Sequence, residues 1–327
     1  MNVLVTGGAG YIGSHAVLAL VAAGHRPVVV DNLSTGVADA VPDGVRLHVA
    51  EVADTQAISD ILQDERIEAV MHFAGSIVVP ESVADPGSYY KNNTAASLDL
   101  ARTCVAVGLG PFIFSSTAAV YGAPETLPVT EQARPAPLSP YGWSKLMTEQ
   151  MLFDLHRAHP GFRPLCLRYF NVAGADPGKR TGQRGPQSTH LIRCAIETAL
   201  GARPVLEIFG EDYPTRDGSC ERDFIHVSDL ADAHVAGLDY LRRGGPPVVL
   251  NCGYGRGATV HEVVAALELE VGRPLPTKPA PRRPGDSPSV VADVSEMRRR
   301  LNWRPRHDSL ETILRTALAW EALRPRG

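Results

Sequence analysis

The sequence predicts an α/β fold, a doubly wound parallel sheet with a smaller C-terminal α/β substrate-binding region, and three observations carry that expectation. The chain opens on an apolar, β-branched run, Val3 to Val5, which passes at once into Gly7, Gly8, Gly10 and Gly13 and then into helix-compatible sequence from Ala16 to Ala23. Strand-like runs then alternate with helical ones, the order expected of parallel strands joined by crossover helices. At 327 residues with 44% hydrophobic content, the chain can bury a nucleotide-binding core and carry a cap besides.

Strand, tight glycine turn, helix is the context that a phosphate-binding loop requires, and it marks the sheet as Rossmann-type. Gly7 allows the turn, Gly10 lets the backbone approach a pyrophosphate, and Gly13 lets the helix pack on the strand. The N–H groups of Tyr11, Ile12 and Gly13 open the helix and face the phosphates. A second strand, Pro27 to Val30, ends in Asp31. An acid there accepts from both ribose hydroxyls and repels a 2′-phosphate, which favours NAD over NADP.

Further strands are expected at 45–50, 69–73, 111–115 and 164–169, and helices at 55–64, 94–107 and 144–158. The character changes after Asn171, where 176–187 reads as a Gly-, Pro- and charge-rich loop. Beyond it, helices are expected at 228–242, 259–270 and 309–323, strands near 205–209 and 248–252, and a Pro/Arg-rich loop over 273–288. The division expected is an NAD-binding domain over 1–170 and a nucleotide-sugar-binding region over 171–327, with later segments returning to the first.

Composition narrows the partners. The net charge is −4 and no basic stripe is present, which argues against nucleic acid. Cys104, Cys166, Cys194, Cys220 and Cys252 are scattered without a C-x-x-C, so they read as small buried apolar residues rather than disulfides or metal ligands. No apolar stretch is long enough to span a bilayer and no signal peptide precedes the first strand, so a soluble, cytoplasmic protein is expected.

The chemistry is suggested by Tyr141 and Lys145, four apart in Ser-Pro-Tyr-Gly-Trp-Ser-Lys. One helical turn apart, both side chains can share a face. An ammonium beside a phenol favours the phenolate, lowering a pKa that otherwise lies near ~10, and a phenolate is a general base suited to a sugar hydroxyl. Alone, the pair is a weak signal that reads more often as a surface helix contact. The dinucleotide loop upstream and Thr117 between them tilt the reading to catalysis.

With those residues in view, the chain resembles the extended short-chain dehydrogenase/reductase superfamily and, within it, the UDP-glucose 4-epimerase (UDP-galactose 4-epimerase) family. The matching segments run nearly end to end: TGGAGYIGSH from Thr6, DNLSTG from Asp31, HFAG from His72, SSTAAVYG from Ser115, SPYGWSK from Ser139, LRYFNVAGA from Leu167, IFGEDYPTRDGSCERDFIHVSDLADAH from Ile208 and RRPGD from Arg282. The resemblance implies a tightly held NAD, a UDP-sugar substrate and a homodimer formed through the helices at 94–107 and 144–158. It implies that Tyr141 takes the proton of the sugar 4-hydroxyl while C4 gives a hydride to the nicotinamide. The 4-keto sugar then turns over and is reduced on its other face.

By motif match, Lys145 holds the nicotinamide ribose and lowers the Tyr141 pKa, and Thr117 bonds the sugar 4-oxygen. The family commonly has Ser there; Thr keeps the hydroxyl and adds a methyl. Gly7, Gly10, Tyr11, Ile12, Gly13, Asp31 and Asn32 line the NAD phosphates and ribose. Glu51 and Val52 fall at the adenine, and Phe73, Ala74, Gly75, Asn92 and Phe170 enclose the rest. Ile77 departs from the Lys that some members place after F-A-G. For the nucleotide sugar, the resemblance implies Asn171, His190 and Leu191 near the diphosphate or sugar, Arg222 and Arg283 at the pyrophosphate, Asp286 at the uridine ribose and Phe209 beside the uracil. A guanidinium suits phosphate because it bonds two oxygens at once. Val290 falls where some members have a bulky Tyr beside the hexose C2 group, and a small residue there leaves room for an N-acetyl substituent. His72 and His226 read as satisfied structural histidines.

Two alternatives stand beside this reading. The first is another nucleotide-sugar enzyme on the same scaffold, a UDP-pentose 4-epimerase or a 4,6-dehydratase. A dehydratase needs a further acid or base, commonly directly after the Thr117 position, where this chain has Ala118 and Ala119. The second is a non-catalytic NAD-sensing protein, which would be expected to lack part of the Thr117, Tyr141 and Lys145 set.

Overall fold

The computed structural model describes residues 1–184, 189–283 and 286–324. In chain order its first half comprises β1 (Asn2–Thr6), α1 (Tyr11–Ala22), β2 (Arg26–Asp31), β3 (Arg46–Val49), α2 (Thr55–Asp64), β4 (Ala69–His72), α3 (Val79–Ala84), α4 (Pro86–Tyr89), α5 (Ala96–Ala106), β5 (Pro111–Thr117), α6 (Pro140–Ala158) and β6 (Arg163–Tyr169). The second half comprises β7 (Asn171–Ala173), α7 (Leu191–Ala199), β8 (Leu206–Phe209), β9 (Glu221–His226), α8 (Val227–Arg242), β10 (Val248–Cys252), β11 (Gly257–Thr259), α9 (Val260–Val271), β12 (Thr277–Ala280), β13 (Ser289–Val290), α10 (Ser295–Leu301) and α11 (Leu310–Glu321).

Seven strands form one sheet in the order β10-β6-β5-β4-β1-β2-β3, and every neighbouring pair is parallel. A sheet covered on both faces requires strands apolar on both sides. β1 meets this with Val3 and Val5 packed into one layer, which includes Leu20 of α1 and Leu238 of α8. Leu4 points into the opposite layer with Ile58 of α2, Leu100 of α5 and Leu152 of α6. All of these side chains are almost completely buried, each contributing about 1.5–3 kcal/mol of transfer free energy.

The chain runs outward from β1 through β2 and β3, then returns to the other side of β1 at β4. That reversal opens a crevice beyond the carboxyl ends of β1 and β4, where α/β sheets bind ligands. The glycine loop after β1 and Phe73 to Gly75 after β4 both lie there. β6 gives way at Phe170 to β7, which pairs with β9 in a second sheet, while β10 returns to the first. β11 and β13 flank β9, and β8 pairs with β12.

The doubly wound sheet agrees with the expectation from sequence, with differences at the ends of elements. α6 begins at Pro140, before the expected 144, because the Ser139 hydroxyl accepts from Gly142 N at 3.2 Å and Pro140 occupies the first turn. Tyr141 and Lys145 therefore both lie on the helix. α1 begins at Tyr11, immediately after Gly10, and takes in Gly13. α7 and the charge-dense α10 were not anticipated, and β12 lies inside the stretch expected to be loop over 273–288. Residues 176–184 hold no helix or strand, as expected; positions 185–187 of that loop, and Pro284 and Gly285 of the RRPGD segment, lie outside the described residues.

Candidate active site

The glycine loop is a cradle that side chains would fill. A Cβ on Gly7, whose φ is +69°, would lie 2.6 Å from the backbone N of Ala74, and one on Gly13 would lie 2.1 Å from the Gly7 carbonyl oxygen. Gly10 caps α1 with extended backbone and no side-chain hydrogen bond, leaving the first-turn N–H groups of Tyr11, Ile12 and Gly13 available to an anion. Asp31, at the end of β2, accepts from Ala9 N at 3.0 Å and Leu33 N at 2.8 Å, which fixes its carboxylate beside the loop. Narrow backbone walls, free donors and an acid at the strand end fit a dinucleotide.

Around the cradle, Asn32 donates to both Glu51 oxygens at 3.0 and 3.2 Å, tying the two exposed residues together. Val52 is buried in the core layer with α2. The Tyr11 hydroxyl donates to Gly174 O at 2.6 Å, and the Ser14 and Thr181 hydroxyls bond at 2.9 Å, so the segment after β7 holds the start of α1. Phe73 packs against the His234 ring with centroids 4.7 Å apart. A Cβ on Gly75 would lie 3.0 Å from Asn93 Oδ1 and 3.5 Å from Lys145 Nζ, so this backbone passes close to the lysine. Asn92 is exposed and donates to the Ser76 hydroxyl at 2.9 Å.

Lys145 is buried on α6, donates to the Ser115 carbonyl at 3.0 Å and lies over the Phe114 ring at 4.9 Å. Burial draws its pKa down from 10.5 to about 8, against the charge of Glu149, which raises it. Tyr141 packs edge-on to Tyr89 with centroids 6.4 Å apart. Burial raises its phenol above the ordinary value, and a hydrogen bond with Thr117 pulls it back in part. The phenol therefore does not show the lowering expected from sequence, because burial outweighs the hydrogen bond with Thr117. Thr117 is buried at the end of β5, where its hydroxyl also accepts from Ala119 N at 3.1 Å.

The second sheet carries three of the remaining candidates, Asn171, Arg222 and Val290. Arg222 on β9 is in register with Val290 on β13. Its guanidinium donates to Glu221 O at 2.8 Å and reaches Asp286 Oδ1 at 3.5 Å. The Arg283 guanidinium stacks 3.8 Å from the centre of the Phe209 ring. Asn171, exposed at the start of β7, is in register with Phe224 of β9. His190 and Leu191 stand at the start of α7. Phe170 is buried in a small cluster with Tyr121 and Val129, against which Val290 packs, so its ring supports the second sheet.

His72 and His226 are satisfied. His72 bonds Thr6 Oγ1 at 2.6 Å and Ser97 Oγ at 2.8 Å; His226 accepts from Ser228 N at 3.1 Å and bonds Thr316 Oγ1 at 3.0 Å. Sequence reasoning missed Asn93, which is buried, accepts from Ser76 N on Oδ1 at 2.7 Å, and donates from Nδ2 to Ser76 O at 2.9 Å and to the Ser144 hydroxyl at 3.0 Å. It also missed Glu149 and Arg168. The available signals were the adjacent Asn92-Asn93 pair and an acid two helical turns after Tyr141.

Comparison with known proteins matches this architecture. The model of the NAD dependent epimerase/dehydratase family matches residues 3–253. UDP-glucose 4-epimerase of Azospirillum brasilense is 56% identical over 98% of this chain and 92% of its own length. The crystal structure of UDP-glucose 4-epimerase from Stenotrophomonas maltophila, with bound NAD and formylated UDP-arabinopyranose, superposes with a TM-score of 0.96 at 38% identity, covering 98% of each chain. That of UDP-glucose 4-epimerase from Brucella ovis in complex with NAD gives 0.94 at 41% identity, covering 97% of each. The chain belongs to the NAD dependent epimerase/dehydratase family.

Proposed function

We propose that the chain interconverts UDP-galactose and UDP-glucose at C4, and accepts the UDP-N-acetylhexosamine pair as well. The observation that supports this most is the meeting of Thr117, Tyr141 and Lys145 at the carboxyl end of β5, across the crevice from the glycine cradle. The named relatives are UDP-glucose 4-epimerases.

NAD bound on the cradle supplies a reversible two-electron oxidation of a carbinol. The residues supply everything else. Gly7, Gly10 and the N–H groups of Tyr11, Ile12 and Gly13 hold its diphosphate. Asp31 with Asn32 takes the ribose, and Glu51 with Val52 lies at the adenine. Phe73, Ala74, Gly75, Asn92 and Phe170 form or support the remaining wall. Tyr141 accepts the proton from the sugar 4-hydroxyl and returns it to the 4-oxygen when C4 is reduced on its opposite face. Thr117 fixes the 4-oxygen and positions that proton, and Lys145 stabilises the phenolate while bonding the nicotinamide ribose. Arg222 and Arg283 neutralise the diphosphate, Phe209 flanks the uracil, Asp286 accepts from the uridine ribose, and Asn171, His190 and Leu191 border the sugar-diphosphate. With the nucleotide gripped at these points, the hexose can turn between its two faces. Val290 leaves space beside C2.

The NAD-binding and nucleotide-sugar functions then divide between 1–170 and the region from 171 onward, with β10 returning to the first sheet. Trp143 and Met147 project from α6 with 42% and 43% exposure, which supports a homodimer closed across α5 and α6. Among the described residues no helix is long and apolar enough to cross a membrane. Five buried cysteines with no disulfide among them suit the reducing cytoplasm, which is where we place the reaction.

A dehydratase is disfavoured because Ala118 and Ala119 offer no acid beside Thr117; UDP-pentoses are the runner-up substrates. Incubation with UDP-galactose, UDP-N-acetylgalactosamine and UDP-arabinopyranose, each with and without added NAD, followed by chromatography, tests the reading. UDP-glucose as product supports it. Conversion of the pentose alone, or of none, overturns it.

A further inference from the structure

Three consecutive residues of β5 each hold a different part of the candidate site. The Ser115 carbonyl accepts from Lys145 at 3.0 Å, the Ser116 hydroxyl donates to Glu149, and the Thr117 hydroxyl meets Tyr141. Tyr141, Lys145 and Glu149 follow one another at four-residue intervals on α6, so they share one face. Glu149 is 3% exposed and is clamped by Arg168 of β6, which donates to it from Nε at 3.0 Å and from Nη2 at 2.6 Å. Arg168 is in register with Ser116. Its Nη1 donates to the Tyr121 hydroxyl at 2.9 Å, which donates to Asn251 Oδ1 at 2.6 Å. Asn251 in turn donates to Val129 O at 2.8 Å and Asp293 O at 3.3 Å, beside the strand that carries Val290.

We propose that Glu149, clamped by Arg168, is a positioning residue for the reaction assigned above: it keeps the buried Lys145 protonated and holds the end of β5 in register with α6. A buried ammonium with a carbonyl as its hydrogen-bond acceptor needs a counter-charge, and Glu149 sits one turn away to provide it. The other titratable groups around Lys145 are Tyr141 on α6, His72 at the end of β4, and Cys166, Arg168 and Tyr169 on β6. His72 is held neutral by burial with its pKa near 3, so it supplies no charge. Burial raises the Cys166 and Tyr169 groups, which leaves them neutral as well. The Glu149–Arg168 pair is therefore the ionic environment of the lysine, with Glu149 on its own helix face and Arg168 clamped on the carboxylate.

The chain has only four lysines, Lys91, Lys145, Lys179 and Lys278, and Lys145 alone is buried. Selective ε-¹³C labelling of lysine therefore gives four resonances, of which Lys145→Met assigns the buried one. Glu149→Gln keeps the shape and removes the charge. The Lys145 resonance should then titrate about one to three pH units lower, and the alkaline limb of the kcat profile on UDP-galactose should move by the same amount with KM unchanged. Glu149→Gln with Arg168→Met leaves no unpaired buried charge and covers the case in which the single variant does not fold. In that double variant the Lys145 titration should fall by less than in the single variant but remain below wild type. A wild-type Lys145 titration in the folded variants overturns the proposal. Absence of turnover in every form, with the resonance shifted as expected, overturns the epimerase reading instead.

Discussion

Gly13→Ala is a small perturbation with a large local consequence. The added methyl would lie 2.1 Å from the Gly7 carbonyl oxygen, 2.8 Å from the Gly7 carbonyl carbon and 2.8 Å from Gly8 Cα. All three neighbours are backbone, so no rotamer change relieves the contact. Reaching an ordinary separation requires α1 to move by roughly an ångström relative to the loop. Overpacking of this kind costs about 1–3 kcal/mol, which in a chain of this size lowers Tm by about 2–12 °C. The same displacement carries the first-turn N–H groups away from the diphosphate, and misplacement by about 1 Å costs on the order of 100-fold. Gly161→Ala is the control, because a Cβ there meets nothing within 4 Å. The assays are a thermal melt and a calorimetric NAD titration. Gly161→Ala should match wild type, and Gly13→Ala should melt lower and bind NAD far more weakly. Wild-type melting and affinity in Gly13→Ala would refute the cradle.

Other outcomes follow from the same geometry. Tyr141→Phe should lower kcat by about 10²–10⁴-fold with NAD affinity retained; turnover within a few-fold of wild type would exclude the phenol as the base. Lys145 is protonated in the folded protein below about pH 8, so kcat should fall as pH rises through about 8. Between about 8 and 10.5 the unfolded chain holds the Lys145 proton that the folded one has lost, so unfolding free energy should rise with pH there. His234 and His72 are buried neutral with pKa values near 4 and 3. The unfolded chain binds protons that the folded one refuses, so denaturant titrations should show stability falling below about pH 6.5, by up to about 1.4 kcal/mol per pH unit for each histidine. Val290→Tyr should suppress turnover of UDP-N-acetylgalactosamine relative to UDP-galactose; an unchanged ratio would remove Val290 as the determinant.

The parallel sheet was legible because β1 is apolar on both faces and passes directly into glycines whose spacing only a phosphate loop needs. Tyr141 and Lys145 were legible because four-residue spacing is a local property of a helix. The Glu149–Arg168 pair was not, since it joins α6 to β6 through the β5–β6 register, a long-range fact that no local pattern encodes. Nor was the direction of the Tyr141 shift, which depends on how deeply the ring is buried. Asn93 was hidden by its neighbour: a π-helical turn over Tyr90–Ala95 sets which of the two asparagines faces inward. α10 escaped notice because three arginines mask the apolar pair Met297 and Leu301 that anchors it.

The central claim, that C4 is oxidised and restored within one turnover by this site, is tested most directly with UDP-galactose deuterated at C4. The purified chain should convert it, without added NAD, to UDP-glucose that keeps the deuterium at C4, as read by mass spectrometry and proton NMR. Product with the label lost to solvent, or epimerised at another carbon, would contradict the account.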